Sequence, residues 1–199
     1  MQRDLTMKCV LKVILVLGTV FLLAGNALAL PMAGDQIRME LDSTVPYTLT
    51  DLQDGTVYGS FCLESRNYFS PGTTYDVVSV GDVATGGGPG APASGDPVEE
   101  ETKWLYAAYM SDVFKELTNA ADLVQRAIWY LENEFGDSQN AWHALKDYEF
   151  DATGWNVVAV NISLNGVDNQ SQLIGTAPVP EPATMLLLGT GLKSEAKRS

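Results

Sequence analysis

The sequence predicts an α+β domain: an antiparallel β-sandwich or barrel-like core with an inserted helical pair. Three observations point there. Runs with two-residue alternation lie on both sides of the middle of the chain, two stretches with helical spacing lie between them, and a Gly/Pro/Ala-rich segment, Ala84 to Pro97, precedes the helical stretches. Strands, then helices, then strands is the layout of an α+β fold rather than of alternating βαβ units.

The first strand is read from Gln36 to Leu41, where Ile37, Met39 and Leu41 alternate with Arg38 and Glu40. Alternation places the apolar set on one face of a pleated strand. Tyr47 to Leu52 and Thr56 to Glu64 follow as a hairpin, joined through Gln53-Asp54-Gly55, so Cys62 falls in a strand. Thr73 to Val80 is a further β-rich run, and Trp155 to Leu164 puts Val158, Val160, Ile162 and Leu164 on one face. Between them, Glu99 to Leu117 carries Tyr106, Met110, Val113 and Leu117 at helical spacing, with Glu99-Glu-Glu101 favourably placed against the helix dipole. Asn119 to Phe135 carries Ala120, Val124, Ala127, Leu131 and Phe135. Asn119 is the expected cap of this second helix, Asp122 suits its first turn, and Gly136 can end it. Gln125 thus lies in an early turn, with Ile128 and Trp129 nearby. Neither half alone offers an adequate core, so 84–97 reads as a long loop within one domain.

The two ends have their own character. Met1 to Ala29 carries Arg3, Lys8 and Lys12, an apolar run from Val13 to Ala24, and a small-x-small Ala27-Leu28-Ala29, which is the pattern of a cleaved secretory signal. An uncleaved anchor is the rival, disfavoured because the apolar run is short of the roughly 20 residues of a span. At the other end, Ala177-Pro-Val-Pro-Glu-Pro-Ala-Thr-Met-Leu-Leu-Leu-Gly leads into Lys193-Ser-Glu-Ala-Lys-Arg-Ser199. The prolines stop any helix before Ala183 and keep the approach to it extended. The layout is therefore 1–29 signal, 30–176 domain and 177–199 tail.

The whole chain has 12 Lys+Arg against 25 Asp+Glu. Removing three basic residues and one acidic residue with the signal leaves nine against 24, a net charge of −15. Such a surface repels phosphate, which excludes nucleic acid as the expected partner and suits solubility outside the cell. Of the two cysteines, Cys9 leaves with the signal. An exported chain with one remaining thiol has no disulfide partner of its own, so Cys62 is unpaired, intermolecular or committed to other chemistry.

Tyr58-Gly-Ser-Phe-Cys62-Leu-Glu and Leu123-Val-Gln125-Arg-Ala-Ile-Trp129 together resemble the thioester domains of bacterial surface adhesins. There a cysteine preceded by an aromatic residue is joined to the glutamine of a Thr-Gln-x-Ala-Ile-Trp motif. The resemblance implies a bond between Cys62 Sγ and the side-chain acyl carbon of Gln125, formed with loss of ammonia. Phe61, Leu63, Ala127, Ile128 and Trp129 would keep water from it. One departure stands out: Val124 replaces the usual threonine. Pro180-Glu181-Pro182, the apolar run and the basic tail resemble the PEP-CTERM sorting signal of Gram-negative bacteria, which implies an exosortase-type processing enzyme. Ala183 to Leu192 is only ten residues against the roughly 20 of a spanning helix, so the tail is short for that pattern.

These resemblances imply an exported protein, at the cell surface or in the extracellular matrix, that attaches covalently to amines on a protein or polysaccharide. It would touch the membrane transiently through signal and tail, need no cofactor, and act as an adhesin rather than an enzyme. The alternative is a non-covalent structural protein of the extracellular matrix with an inert buried Cys62. A Cys62, His143 and Asp147 triad is a third reading, weakened because His143 and Asp147 fall four apart in one helical stretch. One histidine, one cysteine and scattered carboxylates match no metal-ligand spacing.

Overall fold

The computed structural model describes residues 29–41, 45–86, 94–134 and 138–179, so all of the signal but Ala29 and the sorting residues Pro180, Glu181 and Pro182 lie outside it. Ala29–Pro178 forms one compact unit. Its strands are β1 (Gln36–Glu40), β2 (Tyr47–Asp51), β3 (Val57–Cys62), β4 (Thr73–Gly81), β5 (Val83–Ala84) and β6 (Asp96–Pro97). Helices α1 (Glu100–Met110), α2 (Ala120–Leu131) and α3 (Gln139–Leu145) follow, and then β7 (Asn156–Leu164), β8 (Val167–Asp168) and β9 (Gln172–Thr176).

The sheet runs β4-β1-β2-β3-β9-β7, with β8 beyond β7, and a further pairing of β4 with β7 closes it. Every pairing is antiparallel. The core is thus a closed barrel of six strands with three helices, which resolves the expected sandwich-or-barrel core in favour of the barrel. The helical pair becomes three helices, because 139–145 forms a further short one.

Strand alternation divides the apolar residues into two cores. Ile37, Met39, Leu49, Tyr58, Tyr75, Val77, Val160, Ile162 and Ile174 fill the barrel interior, a cluster to which no helix contributes. Phe61, Leu63, Val157, Ala159 and Leu173 point the other way and pack beneath Leu105, Tyr106, Val124, Ala127 and Ile128 of the helices. Two strand glycines let α1 lie close. A Cβ on Gly59 would stand 2.5 Å from Met110 Cε, and one on Gly175 would stand 2.9 Å from Tyr106 Cε1. Tyr106 then donates its hydroxyl hydrogen to the Gly59 carbonyl at 2.8 Å.

Both helices are shorter than their apolar spacing predicts. α1 stops at Met110, because Asp112 turns into the left-handed region at φ 60°. Val113 and Leu117 still pack on the core, from turns rather than from a helix. Asn119 does not cap α2 through its side chain; it is itself left-handed, at φ 59°, a conformation that asparagine and aspartate tolerate better than most residues. α2 ends at Leu131, with Asn133 again at positive φ, and both Phe135 and Gly136 lie outside the described residues. The loop 84–97 is pinned at its ends by the β5–β6 pairing.

Candidate functional site

Cys62 ends β3, and its register partner is Gln172 of β9. Phe61 and Leu63 point to the helices, so the Cys62 side chain falls on the barrel-interior face together with Ser60. On the other side of β3, the last register pair with β2 is Ser60 with Tyr47. β3 therefore runs on past its neighbour, leaving backbone groups in need of partners.

Gln125 supplies them. It stands in the second turn of α2, and its helix neighbours Val124, Ala127 and Ile128 are fully buried against the sheet. That packing aims the carboxamide at the end of β3. Gln125 Oε1 accepts a hydrogen bond from the Cys62 backbone N–H at 2.9 Å, and Gln125 Nε2 donates to the Cys62 carbonyl at 2.7 Å. The carboxamide thus takes the place of the next residue of a strand, with its acyl carbon between two atoms fixed on Cys62. Cys62 and Gln125 are 2 % and 3 % exposed, so water is largely kept from both.

The thiol has its own set of neighbours, which the sequence did not reveal. Gln172 Nε2 lies 3.7 Å from Cys62 Sγ, and Ser60 Oγ donates to Gln172 Oε1 at 2.6 Å. The Tyr47 phenol also lies near enough to the thiol for each to influence the other's titration. Burial pushes the Cys62 thiol up to about 12, with Gln172 and Tyr47 opposing the rise and the nearby Glu64 charge adding to it. Burial and the neighbouring Cys62 push the Tyr47 phenol up to about 12 as well. The sulfur is therefore a neutral thiol at physiological pH.

Phe61, Leu63, Ala127 and Ile128, the expected shielding residues, are all buried in the layer between sheet and helices. The Phe61 ring meets Tyr109 edge-on at 5.2 Å. Trp129 is half-buried, and its indole N–H is buried without a partner. Val124 is fully buried in the same apolar layer. A hollow of about 460 Å³ opens beside the first turn of α2, lined by Tyr109, Met110, Asp112, Lys115 and Ala121 among others. Ala121 is one helical turn ahead of Gln125, and Tyr109 is the residue that packs on Phe61.

The structure does not assemble the triad. His143 is exposed on α3, Asp147 pairs with Lys146 at 3.4 Å, and among the described residues no hydrogen bond joins His143 to Cys62. No group of three or more His, Cys, Asp or Glu among the described residues could hold a metal ion. Two buried carboxylates, Glu64 and Glu134, lie beyond Cys62, and no local sequence signal marks them. Glu64 Oε2 accepts from the Ser171 N–H at 2.5 Å, and Glu134 Oε2 accepts from the Ser65 N–H at 3.1 Å. The second oxygen of each, Oε1, is buried without a partner. Burial, with Glu134 adding, raises the Glu64 carboxyl to about 7.

No protein family model, curated protein or solved structure matches the chain. The fold class rests on its own topology, an α+β barrel with helices packed on one side.

Proposed function

We propose that this domain carries an internal thioester between Cys62 and Gln125 and uses it to attach covalently to amines on an extracellular protein or polysaccharide. The observation that carries the reading is the pair of hydrogen bonds between the Gln125 carboxamide and the Cys62 backbone. They hold the acyl carbon beside the cysteine, which turns an unfavourable bimolecular reaction into an intramolecular one. The Cys62 N–H also faces Oε1, the atom that gains negative charge as sulfur adds to the carbonyl.

In the forming step, Cys62 Sγ bonds to the Gln125 acyl carbon, the C–N bond breaks, and the thiol proton leaves on ammonia. In the attaching step, a primary amine adds to the same carbon, the C–S bond breaks, and a proton from the amine returns to sulfur. The product is an amide at Gln125 and a free thiol at Cys62. Each chain reacts once, so the protein is an adhesin rather than an enzyme. The hollow at the first turn of α2, lined by Asp112 and Lys115 among others, is the approach we assign to the amine. Export by the N-terminal signal and handling of the Pro180-Glu181-Pro182 tail by an exosortase complete the reading, as the sequence resemblance implies.

The test is intact mass. The mature protein is expected one ammonia below its calculated mass, with no free thiol when unfolded and assayed at once. Methylamine then restores a thiol and adds to Gln125, equally fast in His143→Ala. A full calculated mass with one titratable thiol overturns the reading. A second reading, a matrix protein with an inert Cys62, is favoured by one observation: the thiol is enclosed in the barrel at 2 % exposure, and Gln125 would then serve only to satisfy the end of β3.

A further inference from the structure

Gln125 explains how the acyl carbon is held, but not how the sulfur gains and sheds charge in a site that is 2 % exposed. An attacking sulfur becomes anionic in character as its proton departs, and a leaving sulfur does so again when an amine displaces it. Burial alone opposes both events. The barrel interior supplies a neutral donor at this point.

Gln172 is wholly buried, and the register sets it beside Cys62 across the β3–β9 pairing. Its orientation follows from its partners. One amide hydrogen points to the Gln170 carbonyl at 3.4 Å, and that oxygen can only accept. The nitrogen is therefore on that side, and it is this nitrogen that lies 3.7 Å from Cys62 Sγ. Oε1 then faces Ser60, whose hydroxyl donates to it at 2.6 Å. The flipped amide would set its oxygen against the Gln170 carbonyl oxygen, two acceptors facing each other, so the orientation that presents nitrogen to the sulfur is the matched one.

On the thioester reading above, we infer that Gln172 is a catalytic residue of the exchange, a fixed N–H donor that stabilises the Cys62 sulfur both as it attacks Gln125 and as an amine displaces it. Ser60 is its positioning residue. The donor is neutral, so it assists the charge that develops during reaction without creating a standing thiolate. Formation and aminolysis share the same sulfur, and both depend on the same hydrogen bond.

The experiment follows both steps in the mature protein by intact mass, with methylamine as the probe, in wild type, Gln172→Leu, Ser60→Ala and Ser60→Thr. Removing a preorganised donor of this kind costs on the order of 10²-fold in rate. Gln172→Leu is expected to slow formation and aminolysis together by about that factor, Ser60→Ala to slow both by roughly tenfold, and Ser60→Thr to retain most of the rate. A folded Gln172→Leu with wild-type rates overturns the inference. Should that variant fail to fold, unchanged rates in Ser60→Ala do so instead. Peptide mapping that finds the methylamide on Gln172 rather than Gln125 also overturns it, since Gln172 would then be the acyl donor. Failure of the thioester reading itself is separately visible, because wild type would then show its full calculated mass.

Discussion

Cys62 and Glu64 stand two residues apart, each about 2 % exposed, yet they are buried in opposite ways. Around Cys62 the backbone groups meet a carboxamide, the sulfur meets another, and the second carboxamide is anchored by a serine. Around Glu64 one carboxylate oxygen is bonded, the other is not, and a second carboxylate lies close enough to raise its pKa. Neutral amides can be buried at little cost when every donor and acceptor is matched, whereas a half-matched acid transfers its burial cost to its protonation equilibrium. The Cys62 region should therefore respond to the loss of a partner, and the Glu64 region to pH.

The largest effect is expected from Gln125→Leu, which removes both partners of the Cys62 backbone. Leaving two buried backbone groups unpaired costs roughly 2–6 kcal/mol, read as a shift in denaturant midpoint against wild type freed of any crosslink by methylamine. A loss below about 1 kcal/mol would mean that water or the chain replaces Gln125 and that the match is not what holds the region.

Next comes pH. The Glu64 carboxyl is raised from 4.5 to about 7, so the folded protein holds this proton more tightly than the unfolded chain. Its stabilisation is complete below about pH 4.5 and is lost as the pH rises through about 7. The amount is about 3 kcal/mol. Glu132, raised to about 7 by burial beside Thr102, acts in the same direction. Glu64→Gln should flatten its share of the decline, while Cys62→Ala should leave the slope as it is. Equal slopes in wild type and Glu64→Gln would erase the contrast between the two regions.

Ser60→Ala is expected to cost about 1 kcal/mol of stability, since Gln172 Oε1 loses its donor. His143→Ala, an exposed change on α3, should stay within about 0.5 kcal/mol. Thermal unfolding of the two variants side by side checks both.

Much of the barrel was legible because its interior is apolar at every second position, as in Ile37 and Met39 or Val158, Val160 and Ile162. β9 leaves no such pattern, because Gln172 puts a carboxamide at an interior position of a five-residue strand and interrupts the alternation. The spacing predicts a longer α1 than forms, because Val113 and Leu117 keep helical spacing after the backbone has turned at Asp112. Periodicity placed Cys62 on a strand and Gln125 on a helix, but only the motif resemblance put them together. The Cys62–Gln172 contact spans 110 positions and is created by strand register, which no local pattern carries. Glu64 and Glu134 are hidden for a related reason: no local pattern marks a glutamate as buried, and only the fold encloses them.

Closure of the barrel through β4 and β7 also bears on how copies of this protein behave when crowded. An open sheet offers its outermost strand as a template for another chain. Here each of the six barrel strands is hydrogen-bonded on both sides, and the strands outside the ring, β5, β6 and β8, have two residues each. At high local density such molecules would have little means of zipping together by backbone pairing. Associations between neighbours would then be left to side chains and to whatever chemistry the domain can perform.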